Sequence, residues 1–280
     1  MKDLFEFSSS VSRFAVIGNP VSHSKSPEIH KMFGKQLGIA LDYEAVQVDF
    51  GGLYQAIRNL QAGGFKGLNI TVPFKEKGYE LSDVLSDRAR TAAAVNTVRF
   101  ESDDTIFGDN TDGIGLVRDL ECNLKHTLAD VRLLVVGAGG AVRGIIGPLL
   151  SAKPSSLVIA NRTFDRAFLL AKSFSPNGPV QAFRFDQLEG KEFDIVINGT
   201  SSSLVGERLN LPSKIFSSGS LAYDMMYSDS RTPFLTWASE QGVENLTDGL
   251  GMLVEQAASS FELWHGVRPD TSSVLCSLRV

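Results

Sequence analysis

Short apolar runs alternate with amphipathic stretches along the chain, and this predicts β-strands separated by helices. Residues 14–18 (Phe-Ala-Val-Ile-Gly) read as a buried strand that closes in a Gly-Asn-Pro turn. Pro27, tolerated in a first turn, opens a helix to about Leu37. Residues 43–48 read as a second strand, 53–61 as a helix ended by Gly63-Gly64, and 67–72 as a third strand. Residues 96–100 and 105–107 predict a hairpin around Ser102-Asp103-Asp104. A second unit starts near Asp112. Its strongly apolar strand, 131–136, runs into a glycine-rich turn and a helix over 145–150, and 157–160 and 194–198 read as further strands. Leu250, Leu253, Val254, Ala257, Ala258, Phe261 and Trp264 follow helical spacing and predict a long amphipathic helix. The alternation implies an α/β fold with mostly parallel sheets flanked by helices.

Length and charge narrow the function classes. The chain has 280 residues, 43 % hydrophobic and 21 % charged, which suits one large domain or two ordinary ones. A net charge of −5 gives no footprint for nucleic acid or anionic lipid. Cys122 and Cys276 stand too far apart to suggest a disulfide framework, and both read as packed apolar thiols. His23, His30, His126 and His265 show no metal-ligand spacing, so no zinc site is indicated, and His23 and His30 read as hydrogen-bonded structural histidines. Residues 1–10 lack an apolar segment of the signal-peptide kind, and no run of 18 apolar residues exists. The expected location is the cytoplasm.

The clearest chemistry lies in Gly137-Ala138-Gly139-Gly140-Ala141, between the apolar strand and its helix. Such a turn presents backbone N–H groups and a helix N-terminus to an anion. Gly137 permits the tight turn, and Gly139 and Gly140 allow a pyrophosphate to approach. Val142 breaks the strict G-x-G-x-x-G pattern, so a plain strand–helix turn stays open on the glycines alone. The next strand ends in Asn161-Arg162-Thr163, with Arg166 one turn later. An acidic residue there would favour NAD. Two guanidiniums instead match a 2′-phosphate and point to NADP, with Asp165 between them as a competing ion-pair partner.

The N-terminal half sets polar residues where strands end. Ser24 and Ser26 precede a helix and suit a carboxylate; capping is the alternative, above all for Ser26. Lys75 follows Pro73 at a strand–helix junction and Asp112 opens the second unit. If the halves fold face to face, this pair can manage a proton that moves with a hydride; the alternative for Lys75 is a solvated surface side chain. Trp237 and Trp264 read as packing anchors.

Taken in order, the motifs resemble the shikimate dehydrogenase family, over about residues 14–266. They are Gly-Asn-Pro-Val-Ser-His-Ser-Lys-Ser-Pro at 18–27, Asn-Ile-Thr-Val-Pro-Phe-Lys at 69–75, Ala-Val-Asn-Thr at 94–97 and Gly-Asp-Asn-Thr-Asp-Gly at 108–113. Gly-Ala-Gly-Gly-Ala-Val-Arg at 137–143, Asn-Arg-Thr at 161–163, Tyr-Asp-Met-Met-Tyr at 223–227 and Asp-Gly-Leu-Gly-Met-Leu at 248–253, with Gln256, complete the series.

The resemblance implies a substrate domain over 1–111, completed by a returning C-terminal helix in 249–280, and a Rossmann-like NADP domain over 112–248. The implied reaction is the reversible reduction of 3-dehydroshikimate by NADPH, on the route to chorismate and aromatic amino acids. Lys75 would be the acid–base group and Asp112 its partner. Ser24 and Ser26 would hold the carboxylate, and Asn69, Thr71, Asn96, Tyr227 and Gln256 would line the substrate pocket. The 137–141 turn, Asn161, Arg162, Thr163, Arg166, Met225 and Gly249 would touch NADP. Monomer and homodimer both fit. One departure stands out: Ser203 occupies a position usually held by Gly, and a positive φ there would cost about 1 kcal/mol. A broader quinate/shikimate dehydrogenase and a non-catalytic NADP-sensing relative are the alternatives. The segments 110–113 and 248–250 would be the hinges of a closing cleft.

Overall fold

The computed structural model describes residues 11–279. Two six-stranded sheets carry the chain, one from each half. The first holds β1 (Ser12–Gly18), β2 (Leu41–Gln47), β3 (Phe65–Ile70), β4 (Val84–Leu85), β5 (Thr97–Phe100) and β6 (Ile106–Asp109), in the order β2-β1-β3-β5-β6-β4. β1 pairs in parallel with β2 and β3, and β4 with β6; the predicted 96–107 hairpin makes the β3–β5 and β5–β6 pairs antiparallel. α1 (Ser26–Leu37) and α2 (Leu53–Ala62) match their predicted spans. α3 (Lys75–Glu80) and α4 (Asp87–Ala92) are additions of six residues each.

α5 (Asp112–Arg118) leads into a π-helical turn over Asp119–Asn123 and joins the halves. The second sheet contains β7 (Arg132–Val136), β8 (Ser156–Ala160), β9 (Val180–Phe183), β10 (Phe193–Asn198), β11 (Phe216–Asp224) and β12 (Asn245–Thr247), in the order β12-β11-β10-β7-β8-β9. Every pair in it is parallel. This is the doubly wound order, and its strand order reverses between β7 and β10. α6 (Gly140–Ser151) and α7 (Phe164–Phe174) follow β7 and β8 and bury Ile145, Leu149, Leu170 and Phe174 against one face. α8 (Pro233–Glu240) covers the other face with Phe234 and Trp237.

The chain then returns. α9 (Leu250–His265) packs Val254, Ala257, Ala258 and Phe261 on Ile29 and Phe33 of α1, and α10 (Thr271–Leu278) adds Val274. Trp264 anchors it to the first sheet: its indole N–H donates to Val98 O at 3.0 Å and its ring stacks on Phe14. Among the described residues, no helix is long and apolar enough to cross a membrane.

Three expectations need correction. Ser26 does not cap α1: Lys25 occupies the cap position, and the Ser24 hydroxyl accepts the Ser26 N–H at 3.3 Å. Cys122 and Cys276 are exposed, because both fall on outward faces of short helical segments. Neither histidine of the serine motif is a hydrogen-bonded structural residue. His23 is exposed, and His30 is buried with both ring nitrogens unpartnered, stacked on Tyr43 at 4.3 Å. Burial, with His265 nearby, holds His30 down to about 3, so the ring packs as a neutral aromatic.

Candidate active site

Carboxyl ends of parallel strands set the first half of the site. β1 ends in the turn that carries Ser24 and Ser26, and β3 ends at Thr71 and Lys75. Thr71 N–H donates to Ile17 O at 2.9 Å and Asn19 N–H to Val72 O at 2.9 Å, so the two turns are stitched together. Lys75 opens α3. Its ammonium lies 2.6 Å from Asp112 Oδ2, and the two side chains are 12 % and 4 % exposed. Sequence reasoning left Lys75 open as a surface residue; the fold buries it against its predicted partner.

Asp112 is held from behind. Asn96 Nδ2 lies 2.9 Å from Asp112 Oδ1 and 2.8 Å from Gln256 Oε1. Both carboxylate oxygens are therefore engaged, one by the ammonium and one by an amide. With its oxygen turned to Asn96, Gln256 is left with its amide N–H groups to offer elsewhere. Asn96 Oδ1 accepts the Thr111 N–H at 2.8 Å. The loop before Asp112 is pinned as well: Arg88 clamps Asp109 through both carboxylate oxygens, and Ser86 adds a third bond at 2.5 Å.

A second layer continues the network. Asn69 Nδ2 donates to Thr97 Oγ1 at 3.1 Å and Ser260 Oγ at 3.0 Å, and Asn69 Oδ1 accepts from Tyr43 at 2.7 Å. Ser260 Oγ also lies 2.8 Å from Thr97 Oγ1 and 3.3 Å from Thr111 Oγ1. Thr97 closes the Ala-Val-Asn-Thr motif, but Ser260 sits on a helix whose sequence shows no turn or motif, so only the fold brings it here.

The second half of the site meets this wall across a cavity of about 150 Å³. Ser24, Ser26, Asn69, Thr71, Lys75, Asn96, Asp112, Tyr227 and Gln256 line it, together with Ala141, Met225 and Gly249. All nine predicted catalytic and substrate residues thus share one space with part of the predicted cofactor set. His23, Met252 and Leu253 also reach it without having been predicted. Burial raises the Tyr227 phenol above its ordinary value, and its hydroxyl stands 3.4 Å from Lys25 N across the cleft. Glu76 and Arg143 face each other from opposite halves at 3.9 Å.

The glycine turn has the shape of a phosphate cradle. Gly137 adopts φ +117°, a conformation open to glycine. Gly139 caps α6 with no side chain bonded to the helix start, and nothing stands within 4 Å of where its Cβ would be, so a pyrophosphate has room to approach the free N–H groups. Gly140 also has a packing role. A Cβ there would stand 3.1 Å from the Lys75 Cβ, so its smallness lets the two halves close on each other. Gly144, one turn on, admits the side chains of Asn110 and Asp112 in the same way, the Asn110 Oδ1 atom 2.7 Å from its missing Cβ.

Asn161 and Arg162 sit apart from this cavity, in a larger groove at the ends of β8 and β9. Thr163 caps α7 without a side-chain bond, and Arg166 lies in its first turn. Asp165 is not within 4.0 Å of either guanidinium among the described ion pairs, which removes the competing role considered for it. The expected strain at Ser203 is also absent. Its φ is not positive, because the loop forms a 3₁₀ turn over Ser202–Val205, and its hydroxyl donates to Asp224 Oδ2 at 2.7 Å.

A buried ammonium–carboxylate pair facing a phosphate-binding turn on a doubly wound sheet defines a two-domain, dinucleotide-linked oxidoreductase. Known proteins narrow the class. Residues 16–98 match the model of the shikimate dehydrogenase substrate-binding domain, 120–207 that of shikimate/quinate 5-dehydrogenase, and 249–275 that of the shikimate 5-dehydrogenase C-terminal domain. The chain is 53 % identical over 266 residues to the NADP⁺ shikimate dehydrogenase of Dechloromonas aromatica, covering 95 % of this chain and 97 % of the other. Among solved structures, an Ael1 enzyme from Pseudomonas putida superposes with a TM-score of 0.88 at 45 % identity, covering 96 % and 98 %. The shikimate 5-dehydrogenase of Thermus thermophilus, solved with NADP(H) and shikimate, gives 0.85 at 32 %, covering 96 % and 99 %. The chain belongs to the shikimate dehydrogenase family.

Proposed function

We propose that the chain reduces 3-dehydroshikimate to shikimate with NADPH, reversibly, and that Lys75 and Asp112 are its acid–base pair. The observation that carries this reading is the 2.6 Å Lys75–Asp112 contact inside a cavity lined from both halves. The domains divide as 1–111 with 249–280 for substrate, and 112–248 for cofactor. Two exposed free thiols suit the reducing cytoplasm. The substrate is a small anionic ring acid; a monomer and a homodimer remain equally compatible.

The residues divide the work by position. Ser24 and Ser26, beside the α1 N-terminus, receive the ring carboxylate. Thr71, Asn96 and the Gln256 amide N–H groups orient the ring hydroxyls. When bound, the reduced cofactor would supply the hydride for ring carbon C3. As charge grows on the C3 oxygen, the Lys75 ammonium donates a proton to it. Asp112, already bound to Asn96 through Oδ1, keeps its other oxygen on Lys75 and stabilises the ammonium before transfer. In the reverse direction the amine takes the hydroxyl proton. Met225 and Gly249 close the nicotinamide side. The 110–113 and 248–250 segments are the hinges on which the halves exclude water.

A turnover assay with shikimate and NADP⁺, followed at the reduced-nicotinamide absorbance, tests the reading. Turnover with shikimate and NADP⁺, and markedly less with quinate or NAD⁺, is expected. Binding of NADP without any turnover would instead make the chain a cofactor-sensing relative.

A further inference from the structure

A second groove, larger than the one at Lys75, lies away from it. A groove of about 730 Å³ is lined by Asn161, Arg162 and Phe164 from one strand end and by Arg184, Phe185 and Asp186 from another. β8 and β9 pair in parallel, with Ala160 opposite Phe183. Parallel neighbours run about 4.8 Å apart. The residues that leave β8 after Ala160 and β9 after Phe183 therefore emerge side by side at the same edge of the sheet. On one strand these are Asn161 and Arg162. On the other the first is Arg184.

Local contacts aim Arg184 across this edge. Its guanidinium carbon lies 5.3 Å from the centre of the Phe164 ring, so the side chain reaches from β9 toward the start of α7, where Arg162 and Arg166 are. Its backbone N–H donates to Gln187 Oε1 at 2.8 Å, which fixes the turn that carries it. Among the described ion pairs, none of Arg162, Arg166 and Arg184 has a carboxylate within 4.0 Å, although Asp165, Asp186 and Glu189 stand at the same groove. Arg162 and Arg184 line the groove with exposed guanidiniums, and Arg166 follows in the first turn of α7, so all three can turn to an anion bound there. The carboxylates can only accept, so they suit the amino and hydroxyl groups of an adenosine.

We propose that Arg184 is a cofactor-specificity residue: a third guanidinium, contributed by the end of β9, that receives the 2′-phosphate of NADP with Arg162 and Arg166. The inference rests on the NADP reading above and names a group that no strand–turn–helix fingerprint contains. A planar guanidinium can grip a phosphate through two N–H groups, and its contribution falls with added salt because the groove is open.

Calorimetric titration of the whole chain with 2′,5′-ADP and with ADP isolates the 2′-phosphate without hydride transfer. The parent chain binds 2′,5′-ADP more tightly than ADP. Arg184→Gln reduces that preference about tenfold, as expected for one lost charged hydrogen bond at an exposed site. Arg184→Lys keeps part of it, since the charge stays while the fork is lost. A preference within about twofold of the parent in Arg184→Gln overturns the proposal; so does an equal loss on both nucleotides, which would make Arg184 an adenosine or loop contact. A parent chain that shows no preference overturns the NADP reading itself, and is told apart because the variant is not needed to see it.

Discussion

The two cavities are built on opposite principles. Around Lys75 the polar groups are buried and already paired: Asp112, Asn96, Asn69 and Thr97 are at most 6 % exposed, and each has protein partners. Around Arg162 and Arg184 the guanidiniums are exposed, and no carboxylate among the described residues pairs with them. The first arrangement suits chemistry, because a proton donor must stand in place before charge develops. The second suits affinity and choice, since on the proposed reading the partner is the ligand's own phosphate.

Substitutions on each side should differ in kind. The largest effect is expected at Lys75. Lys75→Ala should lower kcat by ~10²–10⁴ with little change in KM, since its charge transfer belongs to the transition state; steady-state kinetics that moved mainly KM would reduce Lys75 to a binding residue. Next comes Arg162→Ala, expected to weaken NADP⁺ use by about 1.5–3 kcal/mol in kcat/KM while NAD⁺ turnover stays nearly level. Equal losses with both cofactors would erase the contrast between the two cavities.

The third prediction concerns the aromatic packing behind the serine turn. His30 is held at about 3 in the folded chain, against an ordinary 6.5. Below 6.5 the unfolded chain binds a proton that the folded chain refuses. Stability is therefore complete above that pH and declines as pH falls toward 3, by about 2 kcal/mol at pH 5 from this group. His30→Phe should flatten that slope in denaturant titrations, and an unchanged slope would assign the acid sensitivity elsewhere. The smallest effect is expected at Ser260. Ser260→Ala removes one member of the buried network and should cost about 1 kcal/mol of unfolding free energy.

Where the sequence was informative, the reason was local. The strand into the glycine turn, the 53–61 helix and the 96–107 hairpin announce themselves by apolar runs and breakers, and all three are present. Short helices escaped. α3 and α4 have six residues each, too few for a helical period to show. α5 opens Asp112-Gly-Ile-Gly, and glycine argues against a helix on propensity alone; tertiary packing overrides it. The site divides the same way. Residues on turns after strands, such as Ser24, Thr71, Lys75 and Asp112, could be picked out because such positions carry chemistry. Tyr43, Ser260 and Arg184 could not, since each is an ordinary strand, helix or edge residue until the fold places it.

Domain pairing is the remaining step that no local pattern encodes. Gly140 against Lys75, and Gly144 against Asn110 and Asp112, show the two halves fitted to each other through missing side chains. This is why the glycine turn should tolerate Gly140→Val poorly even if the cofactor domain folds.

A crystal structure of the chain with shikimate and NADP⁺ tests this arrangement most directly. The account predicts the Lys75 nitrogen within hydrogen-bonding distance of the C3 hydroxyl, with nicotinamide C4 over the same ring carbon. A C3 hydroxyl turned away from Lys75, or a nicotinamide seated outside the cavity, would contradict it.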